Sequence, residues 1–435
     1  SILIVQSFSL VSSFIVAMFS RLPLVRVLRS GPSQRLAKQF SSRSVLTGND
    51  IISPTIGLNE DQQEFYQLAK QFADKEMAPF AGQWDADAEF PIETFKKFGE
   101  LGFGGIYVNE DVGGSALTRL DTAIIFEALS TGCVGTTAML TIHNMCAGMI
   151  DKFGSEEQRQ AWLPELCALE KVASYCLTEP SSGSDAASLL TTATVDPANP
   201  DEYILNGSKA FISGAGMSDM YLVMCRTNGV KGPKGVTCVM VPKGTPGLSF
   251  GADERKMGWR VQPTRQVIFE DCRIPVSNRL GAEGQGFSMA MAGLDGGRIN
   301  IGSCSLGAAQ ASYELAVAYI KERKQFNTPI ADYQATQFKI VKMASNINTM
   351  RLSLRSAAAL VDQQHPAAGV HCAMAKRTAT DLGFDVVNDA LQLHGGYGYL
   401  KDYHVERFLR DCRVHQILEG TNEIMCHIAG KALVG

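Results

Sequence analysis

Four segments of the chain hold residues whose chemistry goes beyond packing. In Gln416-Ile-Leu-Glu-Gly-Thr-Asn-Glu-Ile-Met425, Glu419 stands between Leu418 and Gly420. A carboxylate desolvated by such neighbours has a raised pKa, as a general base for a carbon acid requires, although a solvated surface glutamate fits the residue type as well. Tyr175-Cys-Leu-Thr-Glu-Pro-Ser-Ser-Gly-Ser-Asp185 runs from an apolar lead-in into a turn dense in hydroxyls. Backbone N–H groups and hydroxyls there suit an anionic or carbonyl-bearing ligand, but the same residues are ordinary turn formers. Ser208-Lys-Ala-Phe-Ile-Ser-Gly214 reads as a strand whose Phe211 either stacks on a flat ring or fills a core. The adjacent glycines of His394-Gly-Gly-Tyr-Gly-Tyr399 allow a close backbone approach to a ligand, or end a helix.

The elements that must position these segments follow from hydrophobic period. From Leu58 to about Glu170 the pattern is helical: Phe65, Leu68, Ala69, Phe72 and Ala73 recur at three- and four-residue spacing, as does the stretch Leu120 to Leu129. From Val172 to about Gly281 short β-rich runs take over, among them Tyr221 to Cys225, Val236 to Val241 and Gln266 to Phe269. After Gly286 only Pro329 and Pro366 interrupt the chain, and Ile340, Ala344, Ile347, Leu354, Ala358 and Val361 mark one face of a helix of about eight turns. Helices, then strands, then helices is the predicted order.

With 45% apolar and 19% charged residues in 435, the chain is neither collagenous nor disordered. Residues 1–49 hold six basic residues (Arg21, Arg26, Arg29, Arg35, Lys38, Arg43) and no acidic one; removing six from the 40 basic residues leaves 34 against 44 acidic, a formal charge of −10 on the body. Such a body is a poor general binder of nucleic acid. The Arg- and Ser-rich entry predicts a mitochondrial transit peptide opening at Met18, preceded by an upstream extension, together occupying residues 1–50, with the mitochondrial matrix as destination. Five serines and Gln6 among residues 1–17 weaken a membrane span, so no stable membrane insertion is expected. The eleven cysteines never come closer than Cys167 and Cys176, and no H-E-x-x-H, G-x-S-x-G, P-loop or G-x-G-x-x-G pattern occurs; no metal is expected.

In order and spacing, T-E-P-x-x-G-S-D (Thr178 to Asp185), H-G-G-Y-G (His394 to Gly398) and E-G-T-N-E (Glu419 to Glu423) resemble the acyl-CoA dehydrogenase family, over about Gly57 to the C-terminus. Within it the chain is most similar to the branch that oxidises isobutyryl-CoA, through Phe103-Gly-Gly-Ile-Tyr107, His143-Asn-Met-Cys146, Lys209 to Gly216, Gly296-Gly-Arg-Ile-Asn300, Gly396 to Tyr403 and His415-Gln-Ile-Leu418. The resemblance implies an α+β multidomain fold. Its parts are an N-terminal all-α domain (57–171), a middle β-barrel-like domain (172–285) and a C-terminal four-helix bundle (286–435). It also implies FAD between the β domain and the bundle, partly held by a neighbouring subunit of a homotetramer, an acyl-CoA substrate, and electron-transferring flavoprotein as partner.

By that resemblance Tyr175, Cys176, Leu177, Thr178, Glu179, Pro180, Ser181, Ser182, Gly183 and Ser184 run along the flavin, and Phe211, Ile212 and Ser213 flank its ring. Arg323, Tyr333, Gln334, Gln392, Leu393, His394, Gly395, Gly396, Thr421, Asn422 and Glu423 match further FAD contacts. Ser184, Asp295, Gly296, Gly297, Arg298 and Lys431 match positions facing acyl-CoA. Glu419 matches the base that removes the α-proton while the β-hydrogen leaves as hydride to the flavin. Some relatives carry that carboxylate on a helix of the C-terminal domain, where this chain has Gly297. Other departures are Phe211 where Trp is common, Ser181 for a usual Gly, and Cys426 and Lys431 where Arg is frequent. A 2-methylbutyryl- or butyryl-CoA dehydrogenase, an acyl-CoA oxidase and a non-catalytic assembly protein of the same fold are the competing readings.

Overall fold

Side-chain caps set where three of the N-terminal helices begin. The computed structural model describes residues 51–227 and 229–435, so the expected presequence lies outside the described residues. Helix α1 (Glu60–Phe72) starts at Asn59, whose side chain accepts from the Gln62 amide while the Gln62 side chain reaches back to the Asn59 amide. Thr118 with Asp121 and Ser155 with Gln158 repeat the device for α4 (Arg119–Ser130) and α6 (Glu156–Cys167), each cap stabilising its helix by about 1 kcal/mol. Between them lie α2 (Ala81–Asp87), α3 (Ile92–Glu100) and α5 (Val134–Phe153). The buried stripe of α1 runs through Tyr66 and Ala69 and continues to Ala73 and Met77 in the wider π-helical turn that follows. Leu68, expected on it, is 37% exposed, because one residue is a 100° rotation in a 3.6-residue turn.

The middle strands form one eight-stranded sheet: β1 (Ala173–Cys176), β2 (Thr192–Asp196), β3 (Asn199–Ser213), β4 (Met220–Arg226), β5 (Val236–Pro242), β6 (Leu248–Phe250), β7 (Thr264–Pro275) and β8 (Arg279–Leu280). The hydrogen-bonded order is β6-β7-β3-β2-β4-β5-β8, with β1 parallel beside β4. β4 is buried on both faces, which is why its sequence reads as an unbroken apolar run. Tyr221, Val223 and Cys225 enter the core of the sheet, whereas Leu222 and Met224 share a cluster with Met145, Met149 and Leu163 of the N-terminal helices. Alternation along one strand thus joins the β domain to the helices.

The remaining chain is helical: α7 (Gly286–Glu322), α8 (Gln334–Asp362), α9 (Ala368–His394), α10 (Val405–Arg413) and α11 (Asn422–Val434). Of the face read from sequence on α8, Ile347, Leu354 and Ala358 are buried, and Ile340, Ala344 and Val361 pack against the same cluster. α7 is buried along most of its length. A buried ion pair, Arg351 to Glu127 at 2.8 Å with Gln310 as a further partner, ties α8 to α4 and α7. All eleven cysteines are free thiols, and only Cys426 is exposed. Among the described residues no helix is long and apolar enough to cross a membrane, and no group of metal-ligating side chains gathers.

Candidate active site

A single turn of Val414–Gln416 brings the chain out of α10 and into a left-handed reversal, with φ of +57° at Glu419 and +86° at Gly420, before Thr421 caps α11. A positive φ is natural for glycine and costs a glutamate about 1 kcal/mol or more, so the surroundings must hold Glu419 there. They do so from two helices. From α9, Lys376 Nζ donates to the Gly420 carbonyl at 2.8 Å and to Asn422 Oδ1 at 2.9 Å. Asp381 accepts from Gln416 at 2.8 Å and from Asn422 at 2.7 Å. From α7, Arg298 Nε reaches the Glu419 carbonyl at 3.4 Å and its guanidinium pairs with Asp295 at 2.5 Å.

Held this way, the Glu419 side chain lies over Gly297 of α7. A Cβ added at Gly297 would stand 2.6 Å from Glu419 Oε2, so the carboxylate has its seat only because position 297 carries no side chain. Oε2 is buried and has no hydrogen-bond partner. Burial pushes the Glu419 carboxyl up to about 7, against the opposing pull of Arg298 and Lys376. Both cations spend their N–H groups on main-chain carbonyls or other side chains, leaving the carboxylate near positive charge but unbonded. Nor does the Glu419 main-chain N–H donate to any protein group among the described residues. The Tyr175 hydroxyl and the Cys146 thiol face the same region, each raised well above its ordinary value by burial and neutral at physiological pH.

The hydroxyl-rich turn and the Phe211 segment are brought together. Ala210 N donates to Thr178 O at 2.8 Å and Ser174 Oγ to Ser213 O at 2.6 Å. The register of β3 against β7 shifts between Lys209 and Ile212, and this irregularity turns Phe211 outward with φ of +58° and 67% exposure. An exposed aromatic face beside exposed Ser181, Gly183 and Ser184 fits a flat ring with hydrogen-bonding edges. Other residues of the segment point inward: the Cys176 and Ile212 side chains are in the sheet core and Leu177 is in the cluster against α5. The Glu179 carboxylate is buried, taking the Leu190 and Thr191 amides and, at 2.7 Å, Lys209. For these four, only the main chain is free to face a ligand.

A second group gathers elsewhere. Arg323, Gln392, Leu393, His394, Gly395 and Gly396 line a cavity of about 470 Å³ completed by Tyr319, Gln325, Ile330, Tyr397 and Leu400, all after β8. An exposed guanidinium beside glycines whose Cα atoms border open space suits a diphosphate. Buried His394 stacks on Tyr319 at 4.4 Å and bonds Ala390 O, so its ring shapes the wall. Tyr333 and Gln334 are exposed where α8 begins, the Tyr333 hydroxyl donating to Gln325 O. These surfaces suit the parts of the implied FAD. In the Glu419 loop, the Asn422 side chain is buried on Lys376, Thr380 and Asp381, Thr421 caps α11, and Glu423 is exposed. Asp295, Gly296, Gly297 and Arg298 lie on α7, Gly297 and Arg298 against the loop, Gly296 facing Arg119 and Asp295 paired with Arg298, and Lys431 is exposed on the last turn of α11. Sequence reasoning passed over Lys376, although a lysine on the stripe of Cys372, Ala379 and Gly383 was the signal.

Comparison with known proteins covers nearly the whole described chain. Residues 59–170, 174–272 and 284–434 match the family models "Acyl-CoA dehydrogenase, N-terminal domain", "middle domain" and "C-terminal domain". The chain is 56% identical over 410 residues to the mitochondrial isobutyryl-CoA dehydrogenase of Bos taurus, covering 94% of this chain and 96% of that one. It is 58% identical over 385 residues to its namesake in Dictyostelium discoideum, covering 88% and 92%. The solved butyryl-CoA dehydrogenase of Megasphaera elsdenii superimposes with a TM-score of 0.84 at 37% identity, over 87% of this chain and 99% of that one.

Proposed function

The chain belongs to the acyl-CoA dehydrogenase family, and on that premise we propose that it oxidises isobutyryl-CoA to methacrylyl-CoA with bound FAD and passes the electrons to electron-transferring flavoprotein. The observation that carries the chemistry is the buried, unbonded Oε2 of Glu419 above Gly297. The preference for a short branched acyl group is supported by two relatives at 56% and 58% identity, both named for isobutyryl-CoA. Their names and the basic, acid-free entry of this chain support a place in the mitochondrial matrix. We propose the same three domains as the sequence predicts, 57–171, 172–285 and 286–435, and a homotetramer.

In this reading Glu419 takes the α-proton of the thioester. With its carboxyl at about 7 rather than the ordinary 4.5, it is a stronger base than a solvated glutamate by about 3 kcal/mol, at 1.36 kcal/mol per pKa unit. Once protonated it is neutral, the form that burial favours. Negative charge that develops on the thioester oxygen meets the free Glu419 N–H, a donor fixed by the clamped loop and costing no reorganisation. With FAD bound, Phe211 and the hydroxyl-rich turn would hold its ring and the separate Arg323 and Gly395-Gly396 surface, from a neighbouring subunit, its diphosphate; the group would supply the acceptor to which the β-hydrogen leaves as hydride. A panel of acyl-CoA thioesters tests the assignment. Highest kcat/KM on isobutyryl-CoA is expected, and highest efficiency on straight-chain butyryl-CoA or on 2-methylbutyryl-CoA contradicts it.

A further inference from the structure

Lys376 lies fully buried on α9, on a stripe otherwise made of Cys372, Ala379 and Gly383. Burying an ammonium costs several kcal/mol, whereas a methionine would pack there without that cost, so the charge demands a reason. Its bonds supply one. Its two hydrogen-bond partners, the Gly420 carbonyl at 2.8 Å and Asn422 Oδ1 at 2.9 Å, lie just beyond Glu419, and neither is an acid. One turn along α9, Thr380 and Asp381 take the Asn422 amide, and Asp381 also takes Gln416 on the other side of the loop. The stretch from Gln416 to Asn422 is therefore gripped at both ends by one helix, with the left-handed Glu419 between the grips.

Resting on the reading of Glu419 as the base, we propose that Lys376 is a positioning residue of the reaction: it clamps the Glu419 loop to α9 and sets a positive charge beside the base without bonding to it. A direct ion pair would tie up the lone pairs that must accept the α-proton. A charge committed to neutral oxygens favours the carboxylate and leaves those lone pairs free. Burial lowers the Lys376 ammonium to about 8, with Glu419 the first of the charges that oppose the shift. Arg298, Tyr175 and Cys146 also face Glu419; Asp381, Glu423, His415 and Arg298 face Lys376. Of the groups around Glu419 only Arg298 shares the positive charge, and its guanidinium is paired with Asp295.

The test is the pH profile of kcat/KM for the holoenzyme with isobutyryl-CoA, in wild type, Lys376→Arg, Lys376→Gln, Lys376→Met and Glu419→Gln. Lys376→Gln keeps a donor for the Gly420 carbonyl but loses the charge, and its acid limb is expected about one pH unit higher. Lys376→Arg keeps the charge and the position of the limb. Lys376→Met also loses the grip, and kcat falls about tenfold or more below that of Lys376→Gln; if it fails to fold, the Gln and Arg pair still decides. An acid limb in Lys376→Gln that coincides with wild type, while Glu419→Gln has none, overturns the proposal and leaves the base in place. An acid limb that survives in Glu419→Gln overturns the reading of the base and the proposal with it.

Discussion

Replacing Glu419 by glutamine should make the protein less active and, above neutral pH, more stable. In the folded chain the Glu419 carboxyl stands at about 7, above its ordinary 4.5, because burial disfavours the charged form; the pull of Arg298 and Lys376 is already contained in that value. A raised carboxyl contributes stability that is fully present below pH 4.5 and is lost as pH rises through 7. At about 1.4 kcal/mol per pKa unit the loss amounts to about 3 kcal/mol, which glutamine, neutral throughout, does not suffer. Asp411, also buried and raised to about 6, titrates in both proteins and cancels in the difference. Thermal unfolding of the two holoenzymes from pH 5 to pH 8.5 should show midpoints close together at the acid end. They should separate by roughly 3 to 4 °C at the alkaline end, with the variant higher. Turnover should fall about 10²- to 10⁴-fold in the same variant. A stability difference that does not change with pH, joined to near-normal turnover, refutes a desolvated base at this position.

Gly297→Ala places a methyl 2.6 Å from the buried Glu419 Oε2; kcat should fall at least about tenfold, and overpacking of about 1 to 3 kcal/mol should outweigh the gain of about 1 kcal/mol in helix propensity, as kinetics and thermal unfolding will show. Lys209→Met leaves the Glu179 carboxylate buried without its cation and should cost about 3 to 5 kcal/mol by denaturant unfolding, much of it regained in a double variant with Glu179→Gln. Phe211→Ala removes an exposed stacking face worth about 1 kcal/mol, so FAD should bind several-fold more weakly in a fluorescence titration, with the circular dichroism of the apoprotein unchanged.

The order of helices, strands and helices was legible because each part keeps its own hydrophobic period over many residues; the buried Ile347, Leu354 and Ala358 of α8 fell where that period put them. Leu68 did not, since a short amphipathic stretch fixes the helix but not which stripe the neighbours cover. Glu419 could be singled out by its apolar neighbours, yet its left-handed backbone and its seat over Gly297 depend on residues more than a hundred positions apart. Phe211 looked like part of a regular alternation, and only the irregular pairing of β3 with β7 turns it outward. Lys376 left a visible trace, a charge on an apolar stripe, whose meaning appears only when the loop of α11 packs against α9.

The most direct test of Glu419 as the α-proton base is hydrogen exchange at the α-carbon. Holoenzyme with its flavin chemically reduced, so that oxidation cannot proceed, is incubated with isobutyryl-CoA in D₂O, and the mass of the recovered thioester is followed in wild type and Glu419→Gln. The account predicts that deuterium enters the α-position with wild type and not with the variant. Equal incorporation by both would contradict it.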